Sequence, residues 1–153
     1  MPNSSPASPA SRRATPLQFI DPPSLYDPRP NGYSHLAVVQ NPQRWLLVAG
    51  QGGEDAAGRL SGDFGTQVEH ALRNLCSALE AGGAGLCDVA RIRVLVVDHS
   101  EARLAIFGAA WARLLAGLPP PACTLVPVPR LALDGMLFEI EATAVVAAGE
   151  GAA

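Results

Sequence analysis

The run Met136-Leu137-Phe138-Glu139-Ile140-Glu141-Ala142-Thr143-Ala144-Val145-Val146 decides how this chain is read. With the two-residue period of a strand, Phe138, Ile140, Ala142 and Ala144 share one face. Glu139, Glu141 and Thr143 share the other. The apolar set calls for a layer packed against it, and helices are the nearest candidates. The two carboxylates need a reason of their own, because an ionised group is costly to bury unpaired. One reason is a catalytic acid or base in a partly buried cleft. The other is an ion pair across a subunit boundary with Arg91, Arg93 or Arg130.

Working outward, residues 122–128 form the preceding strand, joined to the last through a turn at Asp134-Gly135. Before it, Leu104, Phe107, Trp111 and Leu115 recur at helical spacing, and Gly117 with Pro119, Pro120 and Pro121 ends that helix. Residues 89–98 read as a strand carrying Ile92, Val94, Val96 and Val97. Phe64, Val68, Leu72, Leu75 and Leu79 mark an earlier amphipathic helix, with Gln67, Arg73, Asn74 and Glu80 opposite. Thr66 with Glu69 as a capping box, or Asp63, starts it, and Ala81-Gly82-Gly83 stops it. Residues 34–40 and 44–51 read as a hairpin turning at Asn41-Pro42 and ending in the glycine-rich Gly50-Gln51-Gly52-Gly53. The expected order is ββαβαββ: an α+β fold with one mixed sheet and two helices on one face. Its other face then lacks a cover, which points to oligomerisation.

Composition narrows the chemistry. All eleven basic residues among the 153 are arginine. Without lysine, neither a Schiff-base enzyme nor a P-loop can be present. The net charge of −3 and the 5% aromatic content argue against nucleic acid as a partner. No apolar run approaches membrane-spanning length. Cys76, Cys87 and Cys123 have no metal-ligand spacing, and neither do His35, His70 and His99, so no metal site is expected. Reduced thiols and the lack of a secretory signal point to the cytoplasm. Residues 1–18 read as a disordered leader, 19–146 as one domain and 147–153 as a flexible tail.

Cys123 stands just after the proline run. It is either a nucleophile, given a neighbour that lowers its pKa, or a small buried apolar side chain. Tyr33, after a Pro-Asn-Gly turn, either offers its phenol to a ligand or anchors the leader. The backbone N–H groups of residues 50–53 would suit an anion or oxyanion.

From Gly32 to Val146 the chain resembles the Rid (YjgF) family of reactive-intermediate deaminases. The resemblance is carried by Gly32-Tyr33-Ser34-His35, Val48-Ala49-Gly50-Gln51, Gly62-Asp63-Phe64 with Gln67, Asn74-Leu75 through Gly82-Gly83, Asp88-Val89, Pro121-Ala122 and Glu139-Ile140-Glu141-Ala142. It implies a chorismate-mutase-like fold assembled as a homotrimeric barrel, with clefts between subunits that hydrolyse enamines and imines without a cofactor. Under it, Glu139 activates water, Tyr33 lines the cleft, and Ala49, Gly50 and Gln51 supply pocket backbone. The family's carboxylate-binding arginine falls on Cys123, and its pocket cysteine on Leu125. A thiol cannot make the two charge-assisted bonds of an arginine fork. The implied substrate is therefore a small imine or enamine other than a standard 2-imino acid. The alternatives are a non-catalytic ligand-binding trimer and a thiol-dependent hydrolase using Cys123. The family is also linked with ribonuclease activity, which an acidic, lysine-free chain does not support.

Overall fold

The computed structural model describes residues 16–147. The expected leader and tail lie outside the described residues, apart from residues 16–18 and 147. The elements run β1 (Leu17–Ile20), β2 (Leu36–Val39), β3 (Arg44–Gly52), α1 (Phe64–Ala81), β4 (Val89–Val97), α2 (Glu101–Leu115), β5 (Ala122–Val128) and β6 (Phe138–Val146). The fold is α+β, as expected, with four strands in the order β3-β6-β4-β5. β6 pairs antiparallel with both β3 and β4, and β4 pairs parallel with β5. The last strand of the chain is thus inserted between two earlier ones.

Both helices start on side-chain caps. Asp63 Oδ2 accepts from the Thr66 N–H at 2.7 Å and from its hydroxyl at 2.9 Å, so Asp63 rather than the Thr66/Glu69 box opens α1. Ser100 caps α2 through the Arg103 N–H at 3.2 Å. α2 ends on Ala116 in the left-handed region, at φ 49°.

One core lies between sheet and helices. Val68, Leu72, Leu75 and Leu79 of α1, with Phe107, Trp111 and Leu115 of α2, bury against Ile92, Val94, Val96, Phe138, Ile140 and Ala142. The alternation read from the last strand is therefore the one that folds: its apolar face meets the helices. On the opposite face stand Glu139, Glu141 and Arg93, along with Leu47, which is 80% exposed.

The structure corrects the reading in two places. The strands at residues 34–40 and 44–51 do not form a hairpin, and they do not share a sheet. β2 pairs antiparallel with β1, a strand lying partly inside the expected leader. Asn41, at φ 45°, and Pro42 turn the chain away instead. The two-stranded sheet packs Leu17, Ala37 and Val39 against Ala90 and Val145, so part of the open face is covered from within the chain.

Candidate active site

Glu139 owes its setting to an irregularity in β3. The register runs Val48↔Ala142 and then Gln51↔Ile140, so β3 carries one extra residue at Ala49-Gly50. Such a bulge bends the strand and re-aims its backbone. Here it brings Gly50 against the Glu139 side chain, where a Cβ on residue 50 would stand 2.5 Å from the carboxyl carbon. A side chain at residue 50 would push the carboxylate from this position.

The two carboxylates of β6 have different partners. Glu141 is held by Arg93 in a fork, Nε to Oε1 at 3.0 Å and Nη2 to Oε2 at 3.1 Å. The expected arginine pairing is thus realised within one chain and for Glu141. No salt bridge among the described residues engages Glu139. Burial raises its pKa above the ordinary carboxylate value, the negative charges of Glu141 and Glu54 add to that, and Arg93 only partly opposes it.

Behind this carboxylate, α1 holds the glycine-rich turn. Asn74 Nδ2 donates to the carbonyls of Gly52 at 3.1 Å and Glu54 at 3.0 Å, and a His70 ring nitrogen lies 3.2 Å from the Gly53 carbonyl. Gln67 is fully buried. Its amide donates to the Ser61 and Gly135 carbonyls at 2.6 and 2.8 Å and accepts from the Leu137 N–H at 2.8 Å. The sequence reading had put Gln67 and Asn74 on the polar side of the helix, so their inward role was missed. The signal was present: Gln67, His70 and Asn74 recur at i, i+3 and i+7, one stripe of a helix.

A second group of expected site residues gathers at the outer edge of β5. Ser34 bridges Ala122 in parallel fashion, with its N–H on the Pro121 carbonyl at 3.0 Å and its hydroxyl on that of Pro120 at 2.7 Å. This lays Tyr33 and His35 alongside the start of β5. Trp111 Nε1 donates to the Gly32 carbonyl at 3.1 Å and fixes the preceding turn to α2. Cys123 and Leu125 are half-buried and pack toward the core. Burial pushes the Cys123 thiol up to about 11, with Arg91 only partly opposing.

These groups do not meet within one chain. Glu139 and Val126 both stand in register with Leu95, so Cys123 lies two strands across and three residues along from Glu139. At about 4.8 Å per strand and 3.3 Å per residue, the separation is roughly 14 Å. The two also face opposite sides of the sheet. The structure therefore separates the expected site residues into two groups: Glu139 beside the Gly50 bulge of β3, and Cys123 and Leu125 on β5, with Tyr33 near the start of that strand.

Among the described residues, no group of three or more His, Cys, Asp or Glu could hold a metal ion, and no helix is long and apolar enough to cross a membrane. Residues 27–146 match the family model described as Endoribonuclease L-PSP, the YjgF/Rid family. This chain belongs to it. The Rid-family protein YyfB from Yersinia pestis is 38% identical, with 86% of this chain and 99% of that one covered at a TM-score of 0.81. A YjgF/YER057c/UK114-family protein from Mycobacterium tuberculosis is 29% identical over 85% and 99% of the two chains, at 0.58. RidA from an Antarctic Psychrobacter is 29% identical over 74% and 88%, at 0.62. No curated protein matches the chain in sequence.

Proposed function

We propose that this Rid-family chain is a cofactor-independent deaminase that hydrolyses small reactive enamines and imines, with Glu139 activating water. The observation carrying this reading is the contrast on β6. Glu141 is paired with Arg93, whereas among the described residues no salt bridge engages Glu139, which lies against Gly50 with its pKa raised toward the range where a general base works best. In the reaction, the Glu139 carboxylate takes a proton from water as the oxygen attacks the C=N carbon. Glu139 hands that proton to the nitrogen, giving the carbinolamine. The carbinolamine's hydroxyl proton then passes to the nitrogen as the C–N bond breaks, so imine and water leave as carbonyl compound and ammonia.

The two groups of residues support a homotrimer in which the cleft lies between subunits, Glu139 with Gly50 and Gln51 from one and Tyr33 with Cys123 and Leu125 from its neighbour. The half-open sheet face with Leu47 and Trp45 exposed fits the same arrangement. At the position of the family's carboxylate-binding arginine the pocket has Cys123, which favours substrates lacking an α-carboxylate. Three free cysteines fit a reducing, cytoplasmic setting. A thiol raised to about 11 is a poor nucleophile near neutrality, which weighs against the thiol-dependent alternative. A chain of net charge −3 is also a poor phosphodiester binder.

The test is to generate imines in situ from amines and from amino acids and follow their decay with and without protein. Faster decay of an amine-derived imine, lost in Glu139→Gln and kept in Cys123→Ser, is the expected result. Equal decay with and without protein for every imine would leave only the non-catalytic binding reading. Cys123→Arg is expected to shift preference toward 2-imino acids.

A further inference from the structure

The family match starts at residue 27, and Tyr26 lies just ahead of it. Its hydroxyl is hydrogen-bonded to that of Tyr33. The rings of Tyr26, Tyr33 and His35 meet pairwise edge to face, with centroids 6.5 Å apart for the two tyrosines and 5.0 and 5.5 Å from each to the histidine. His35 Nε2 lies 2.8 Å from the Tyr26 carbonyl, and the His35 N–H donates to Asp21 Oδ1 at 2.9 Å. The approach segment is thus tied to His35 at both ends, and Pro22, Pro23 and Pro28 restrict its backbone further. Yet Tyr26 is 62% exposed and contributes nothing to the core. Its ring is placed by its contacts with Tyr33 and His35, not by burial.

We propose that Tyr26 is a positioning residue that sets the hydroxyl of Tyr33 and so extends the site into the proline-rich segment ahead of the family domain. This rests on the reading that Tyr33 lines the cleft. A phenol has one proton to donate and lone pairs to accept with. With Tyr26 donating to the Tyr33 oxygen, the Tyr33 O–H is turned away from its neighbour and polarised by the bond it receives. It then donates to an acceptor on the ligand, the oxygen formed as water adds to the imine carbon or the carbonyl oxygen of the product.

The experiment is a double-mutant cycle of Tyr26→Phe, Tyr33→Phe and the double variant, which keeps every ring. It is read in two ways: kcat/KM on an amine-derived imine, and dissociation constants for butanone and 2-oxobutyrate by ligand-observed NMR, which need no turnover. Each single variant is expected to weaken binding or kcat/KM about fivefold, the factor one net hydrogen bond carries, at an unchanged thermal midpoint. The double variant is expected to lose no more than Tyr33→Phe alone. Losses that multiply, or a Tyr26→Phe indistinguishable from the unmodified chain, would overturn the proposal while turnover itself upholds the deaminase reading. Coupled losses in binding with no turnover on any imine would sink the deaminase and leave the Tyr26 role standing. Neither binding nor turnover would overturn both.

Discussion

Glu139 and Glu141 are two residues apart on one strand, and their difference lies in which of them Arg93 reaches. A base is active as its carboxylate, so kcat/KM should rise with pH through the raised Glu139 pKa, with its acid limb above the usual carboxylate range. Arg93→Gln removes the opposing cation and should move that limb to higher pH. Glu141→Gln removes a like charge and frees Arg93, so it should move the limb lower. A pH–rate profile of the three proteins checks both signs. Stability follows the opposite course. The folded chain holds the Glu139 proton more tightly than the unfolded one, so this stabilisation is present at low pH and lost as pH rises through the folded pKa. Glu139→Gln should therefore melt no lower than the unmodified chain near neutrality, while activity falls roughly 10²–10⁴-fold.

At the scale of elements, α1 does more than cover the sheet. Gln67 joins three backbone groups from two loops, and Leu in its place would leave the Ser61 and Gly135 carbonyls and the Leu137 N–H without their partner. At about 1–3 kcal/mol for each buried group left unpaired, partly relieved by relaxation, Gln67→Leu should cost about 3 kcal/mol. That corresponds to roughly 10 °C in the melting midpoint for a domain of this size. The limits of reading the sequence show at this scale too. The faces of β6, the two helices and β4 were legible because each carries its own period. The pairing of β2 was not, since Leu-Ala-Val-Val has no alternation to name a partner, and Leu17–Ile20 is a short strand ahead of a run of prolines. Glu139, Gly50 and Tyr33 are candidates through the family motifs. The inward stripe of Gln67, His70 and Asn74 was hidden because polar residues on a helix are ordinarily solvated, and only the glycine turn packed beneath them reverses that.

For the molecule as a whole, the proposed sharing of each cleft between subunits predicts behaviour that no single chain can show. Glu139→Gln and a cleft-blocking Leu125→Trp should each be inactive as pure assemblies. When they are dissociated, mixed and reassembled, some clefts combine an intact half from each, and partial activity should return. Continued inactivity of the mixture, with mixed assemblies verified by native mass spectrometry, would count against shared clefts. Ala116 bears on the same molecule differently. At φ 49° it holds a conformation that costs an L-residue with a Cβ about 1–2 kcal/mol and glycine almost nothing. Ala116→Gly should raise the melting midpoint by a few degrees, less what glycine adds to the freedom of the unfolded chain. One codon change would supply that stability, and the sequence has not taken it. A destabilising change at the cleft could thus be offset by a gain far from it, as is common where stability lies below its optimum.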